Sequence, residues 1–402
     1  MVASHPIQYQ APWFRALADE CDLTVFFCHR QDAEGQGRAG FGVPFEWDVP
    51  LLDGYRFEWL ENVSAHAGVD RFGGCDTPGI SERIASGGFD ACIVNGWYLK
   101  SYLQAIRACR RAGVPAILRG DSQLKGPRSR VVSAVKYLPY RWMLQRVHAH
   151  LYVGQANRDY LRHYGAPEAR LFFAPHFVEN ERFAAGAARA RESGAAMQLR
   201  EAWGAGPHTT VFLFAGKFIA KKRPANFVAA VAALARAGEN VCGVLVGAGP
   251  EEQTLRAVAV DLAAPIAFDG FQNQSHIAAR YAAADCLVLP SDGRETWGLV
   301  VNEAMAAGVP AIVSDAVGCA PDLVDEGATG FTYPVGDVEG LVGRMRDLVA
   351  LRGLRGDDVR RAVLDRIARY SCAAAVAGTM RAVEAVSLAA QRTADRVREQ
   401  HV

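Results

Sequence analysis

The chain has 402 residues, half of them apolar, and a formal net charge of +1. That length exceeds one compact core and suits two domains, and the balanced charge argues against general nucleic-acid binding as the main task. Nine scattered cysteines, several inside apolar runs and none in a CxxC pair, suit free thiols in a reducing cytosol better than a disulfide framework or a zinc site.

The start, "MVASHPIQYQ", lacks the basic segment and apolar run of a signal peptide, and no apolar stretch reaches transmembrane length, so a cytoplasmic protein is expected. "MVAS" is short for a first strand. It leads into a polar turn holding His5, Gln8 and Tyr9. Short apolar runs then recur, each followed by a helical stretch: 22–28, 89–96, 114–120, 149–154 and 170–175 in the first half. The second half repeats the pattern at 209–216, 241–249, 265–270, 285–291 and 309–315. Continuous apolar runs alternating with helices indicate parallel strands buried on both faces. The expected fold is therefore α/β, two tandem Rossmann-like doubly wound sheets facing a cleft. The boundaries read as 1–180 for the first domain, 181–372 for the second, and 373–402 for a helical segment packing back on the first domain.

Ligands of such sheets bind beyond the carboxyl ends of the strands, so the loops there carry the chemistry. After 209–216 come Gly216, Lys217, Lys221, Lys222 and Arg223. The glycine admits a ligand to the backbone and the lysines offer charge to phosphate, unless this is only a solvated basic loop. The Gly247–Gly249 turn lacks the third glycine of a dinucleotide fingerprint and reads as structural. After 265–270, Phe271 and Gln272 could lie against a base. "GRETWGLVVNEAMAAGVP" (293–310) places Glu295 in a loop and Glu303 on a helix that starts near Gly298 and Leu299. The amides of that helix start can hold a pyrophosphate, Glu295 can accept bonds from sugar hydroxyls, and Glu303 can bind a ribose diol. Glu303 sits among apolar neighbours, where an acid needs a polar partner.

As a set these motifs resemble the nucleotide-binding domain of GT-B-fold glycosyltransferases of the retaining family 4 type. The resemblance rests on "FAGKFIAKKRP", "VGAGPE", "FDGFQNQSHIAARYAAADCLVLPS" and "ETWGLVVNEAMAAGVPAIVSDAVG", which together cover about 207–335. It extends more loosely to "SHPIQYQAPWFRALA" and "RDYLRHYGAP". It implies that Lys217 and Lys222 bind the donor diphosphate and stabilise it as it leaves. It also implies that Glu295 binds the donor sugar and Glu303 the ribose. Trp297 stands where the family usually has phenylalanine, and Cys319 and Asp322 replace a glycine and a glutamate. Asp121 occupies the place of a family histidine and bonds the donor sugar or the acceptor hydroxyl, or else caps a helix.

On the acceptor side, His5, Gln8, Trp97 and Tyr98 suit sugar binding, though Trp97 could equally be packing. Residues 125–146 hold six basic residues, three aromatics and no acid, which suits an anionic membrane surface or a phosphate-bearing lipid acceptor, or a solvated helix beside the cleft. No Asp-x-Asp triplet or metal-spaced cluster occurs, so a metal-independent mechanism is expected, with no cofactor beyond a nucleotide-sugar donor, UDP-linked by default and GDP-linked as the alternative. The competing readings are a sugar-nucleotide epimerase or phosphorylase on a similar fold, and a non-catalytic donor-binding subunit.

Overall fold

The computed structural model describes residues 1–126 and 129–399. Two parallel sheets organise it. The first contains β1 (Val2–Ala3), β2 (Thr24–Phe27), β3 (Arg56–Trp59), β4 (Cys92–Val94), β5 (Ala116–Gly120), β6 (Ala149–Tyr152) and β7 (Leu171–Phe173), in the spatial order β3-β2-β1-β4-β5-β6-β7. The second contains β8 (Thr210–Ala215), β9 (Val241–Val246), β10 (Ile266–Gly270), β11 (Cys286–Leu289), β12 (Ala311–Ser314) and β13 (Gly330–Tyr333), in the order β10-β9-β8-β11-β12-β13. Every strand pair is parallel, and the strands of the two sheet centres are fully buried, as continuous apolar runs demand. In both sheets the order reverses beside the first strand, which opens a crevice at its carboxyl end.

The chain crosses from the first sheet to the second through the helix Asn180–Glu192, whose Phe183, Ala187 and Ala190 pack with Tyr281 and Ala278 in the second-domain core. The last helix, Cys372–Glu399, returns to the first domain: Ala375, Val376, Ala382 and Val386 pack with Trp13, Phe14, Phe27 and Leu151. One sequence expectation needs correction here. A window within Gly356–Arg392 is long and apolar enough to cross a membrane by length and composition. The stretch Gly356–Arg392 spans the end of one helix and most of the next, and its buried residues are spent on the two cores.

The domains are tied together across the cleft. Gln123 is 2% exposed, and its amide donates to the carbonyls of Gly293, Glu295 and Ala316 at 2.7–3.1 Å. Asp322 accepts the Gln155 amide at 2.9 and 3.1 Å and the Tyr370 hydroxyl at 3.0 Å. Burial pushes the Asp322 carboxyl up to about 6, against those bonds.

Candidate functional site

A cavity of about 490 Å³ opens between the carboxyl ends of the two sheets. Its charged wall belongs to the second domain. The loop after β8 turns at Gly216, φ +145°, and a short 3₁₀ turn, Ala220–Lys222, then carries Lys222 inward. The Lys222 Nζ lies 2.5 Å from Glu295 Oε2, with both side chains about one-tenth exposed. A lysine and a glutamate read separately in the sequence are thus one buried pair, each holding the other in place. Lys217 reaches the same cavity with its ammonium 5.0 Å from the Phe41 ring centre. Burial, then the charges of Lys221 and Lys222, bring its pKa down to about 8. Gly247 closes this loop from behind. It has φ +137°, and a side chain there would collide with the Gly216 carbonyl, so the Gly247 turn serves the backbone.

The helix Leu299–Ala306 begins at Gly298, whose φ of +103° lets the chain swing from the Glu295 loop into the helix. Leu299 and Val300 line the cavity there, and their amides lack acceptors within the helix because they lie in its first turn. Glu303 lies one turn further in and is 2% exposed. Its Oε1 accepts the Tyr9 hydroxyl at 2.9 Å and the Gln274 amide at 3.3 Å, and its Oε2 accepts the Tyr281 hydroxyl at 2.6 Å. Burial raises the Glu303 carboxyl, with those bonds pulling the other way. These are the polar partners that an acid among apolar neighbours requires. Tyr9 comes from the first domain, so Glu303 also bridges the cleft.

Asp121, at the end of β5, joins this cavity to the first domain. It accepts the Thr296 hydroxyl at 2.7 Å and lies 3.8 Å from His176 Nε2. Burial works to raise it, but His176 and Thr296 outweigh that and hold it at about 2. His176 is itself lowered, by burial first. A histidine therefore does stand beside the cavity, on the loop after β7 rather than after β5. Sequence reading missed it because a lone histidine in "APHFVEN" has no motif; the signal available was its place at the carboxyl end of a strand.

Trp297, Phe271 and Gln272 also line this cavity, each held by protein neighbours. Trp297 is 3% exposed, donates to Asn302 Oδ1 at 2.8 Å, and packs on His176 and Tyr370, which makes it a wall of the cavity. Phe271 is covered by Phe41 and Phe45, at centroid distances of 5.0 and 4.5 Å, and Gln272 donates to the Asp269 carbonyl at 2.8 Å. The covering segment follows β2, and it is anchored to the second domain where the Asn273 amide donates to the Glu46 carbonyl at 2.6 Å. Of the four acceptor-side residues, Gln8 lines the first cavity. His5, Trp97 and Tyr98 line a second one, of about 330 Å³. His5 is paired with the Ser4 hydroxyl at 3.0 Å and lowered by burial to about 4, hence neutral at pH 7. Asp121 borders both cavities.

Residues 197–362 match the family described as Glycosyl transferases group 1. That match lies in the second domain and takes in Gly216, Lys217, Lys222, Glu295 and Glu303. Among curated relatives, the chain is 35% identical over 133 residues to the sulfoquinovosyl transferase of Arabidopsis thaliana, covering 32% of this chain and 25% of that one. It is 30% identical over 192 residues to the GDP-mannose-dependent alpha-(1-6)-phosphatidylinositol monomannoside mannosyltransferase of Mycobacterium tuberculosis, covering 46% of this chain and 47% of that one. The chain thus spans less than half the length of these relatives. Over nearly its whole length it superposes on a glycosyltransferase from Rickettsia africae, with TM-score 0.70, 12% identity, and 96% and 97% of the two chains covered. The two-domain α/β architecture is that of GT-B glycosyltransferases.

Proposed function

We infer that the protein is a retaining glycosyltransferase of the family 4 type, moving a sugar from a nucleotide-sugar donor to an acceptor held on the first domain. The observation that carries the reading is the buried Lys222–Glu295 pair facing a helix start in an interdomain cavity. In this reading the donor diphosphate lies between Lys217, Lys222 and the amides of Leu299 and Val300, and its ribose joins Tyr9 and Tyr281 on Glu303. Glu295 meets the sugar hydroxyls and keeps Lys222 aimed at the leaving oxygen. The bond from the anomeric carbon to the phosphate oxygen breaks, and the acceptor oxygen bonds to that carbon from the same face. The departing phosphate takes the acceptor proton. Asp121, ionised and shared by both cavities, orients the sugar or the acceptor hydroxyl, and His176 positions Asp121.

Charge developing on the diphosphate is met by fixed lysines and amides, so the reaction is proposed to run without a metal. UDP is the default nucleotide, and GDP is favoured by the mannosyltransferase relative. The same reading puts the enzyme in the cytoplasm, at the inner face of the membrane when the basic helix of the first domain is engaged. The test is donor turnover in the presence of EDTA, followed by the anomeric configuration of the product. An unchanged rate with retained configuration supports the reading. Loss of turnover with EDTA and rescue by magnesium would overturn the metal-free route, and donor isomerisation without transfer would make the protein an epimerase.

A further inference from the structure

A second large hollow lies away from the donor cavity. It is a groove of about 870 Å³ in the first domain, between the helices Lys100–Ala112 and Arg130–Leu144. Leu103, Ile106, Pro139, Tyr140 and Met143 give it an apolar floor. Its rim carries Arg107, Arg110, Lys136 and Arg146, and no acid lines it. Arg146 is held over the Trp142 ring at 4.2 Å. At one end stand Trp97 and Tyr98, which also line the second cavity, and that cavity shares Asp121 with the donor site. The groove therefore borders the acceptor-side cavity at Trp97 and Tyr98, and that cavity borders the donor cavity at Asp121.

The helix above the groove is apolar on two sides. Residues at 136, 139, 140, 142 and 143 line the groove, while Val131, Val135 and Leu138, spaced as one helical face, are 70–72% exposed. A helix of a freely soluble domain has no use for that outer stripe. A stripe bordered by cations suits the interface of an anionic bilayer, and it would bring the mouth of the groove to the lipid.

We propose that this groove is the binding site of the acceptor and that the acceptor is a phosphate-bearing lipid: its hydrocarbon chain lies on the apolar floor, its phosphate meets the rim cations, and its hydroxyl-bearing head passes Trp97 and Tyr98 to Asp121. The proposal rests on the glycosyltransferase reading for the direction of the head, but the groove itself can be tested without it. Arg110, Lys136 and Arg146 are exposed, so their replacement leaves the fold intact. The measurement is calorimetric binding of dodecyl phosphate below its micelle concentration, with octyl phosphate, dodecyl maltoside and inorganic phosphate as comparisons and a nucleoside diphosphate as control.

Dodecyl phosphate should bind the wild-type protein, with affinity falling roughly three- to four-fold for each methylene removed. Lys136→Glu with Arg146→Glu should weaken it by at least about ten-fold, with the nucleoside diphosphate unaffected. Met143→Glu should do the same by blocking the floor. Val135→Glu with Leu138→Glu, on the outer stripe, should leave monomer binding unchanged but reduce flotation with anionic vesicles. Equal affinity for dodecyl maltoside, no dependence on chain length, or unchanged binding in the rim and floor variants would overturn the proposal. Loss of monomer binding in the stripe variant alone would also overturn it, leaving a membrane contact in place of an acceptor site. Failure of the nucleoside diphosphate to bind wild-type protein would sink the glycosyltransferase reading while leaving the lipid site standing.

Discussion

The two walls of the cleft solve different problems. The second-domain wall is charged, buried and cross-braced: Lys222 is paired with Glu295, Glu303 is bonded by two tyrosines and a glutamine, and the helix start at Gly298 is fixed by its backbone. The first-domain wall is more aromatic and open, with Asp121 at its edge, Tyr98 57% exposed and a wide, cation-rimmed groove beyond it. A site for developing charge gains from groups already held in place, because nothing need reorganise as the bond breaks. A site for a bulky acceptor gains from area and access. The same fold thus offers a rigid electrostatic half and an adaptable contact half.

The sharpest way to break this contrast is to remove a brace on the rigid side. In the proposed reaction Lys222 meets charge that appears only as the diphosphate leaves, so Lys222→Ala should lower turnover by on the order of a hundred-fold, with a smaller change in donor affinity. Lys222→Arg should recover only part of the rate, since a planar fork does not reproduce an ammonium. Equal losses in turnover and ground-state binding would make Lys222 a simple binding residue.

Glu303 should show a different signature. Glu303→Ala should weaken nucleoside diphosphate binding by about 1.5–3 kcal/mol, the range for bonds to a charged group. It should also destabilise the fold, because the Tyr9 and Tyr281 hydroxyls lose their acceptor. Tyr9→Phe separates the two effects: it removes the bond across the cleft and keeps the carboxylate, so nucleotide binding should survive. Unchanged affinity in a folded Glu303→Ala protein would take Glu303 out of the site.

Lys217 gives a smaller, pH-dependent effect. Its pKa near 8 means that the charged form prevails below that value and is lost above it. Donor affinity should be flat at lower pH and fall by up to about ten-fold per unit above 8, since binding then requires uptake of a proton. Lys217→Ala should flatten that profile in calorimetric titrations. The mildest change belongs to Asp322. Its carboxyl is raised from 3.8 to about 6, so the folded state holds the proton more tightly and stability should fall as pH rises across that window. Asp322→Asn should remove that slope in thermal unfolding, at the expense of a weaker bond to the Gln155 amide.

Much of this organisation was legible before the structure. Ten apolar runs marked strands because parallel strands buried on both faces read as continuous hydrophobic sequence. The strands that escaped, β3 and β13, are edges of their sheets, where "RFEW" and "GFTY" carry polar residues or a glycine and show no such run. Lys217, Lys222, Glu295, Glu303 and Asp121 were each found through strand-end loops, and all line the first cavity. Their pairings were not legible, because Lys222 with Glu295 and Tyr9 with Glu303 are contacts between residues far apart in the chain. His176 lay in a loop and the Phe41–Phe45 cover in and after a short helical turn, where neither periodicity nor a motif marks a residue. The basic, aromatic composition of 125–146 was legible, but the groove needed three dimensions, since it forms only where that helix packs beside Lys100–Ala112.

The central claim is that the braced wall is a nucleotide-sugar site, and a thermal-shift panel of UDP- and GDP-sugars tests it most directly. A ligand at about a hundred times its dissociation constant adds roughly 2.7 kcal/mol of stability to the folded state. At least one nucleotide sugar should raise the melting temperature of the wild-type protein, and the same compound should have little effect on a folded variant carrying both Lys222→Ala and Glu303→Gln. A panel in which no nucleotide sugar stabilises the wild type, or in which the double variant responds as strongly as the wild type, would contradict the account.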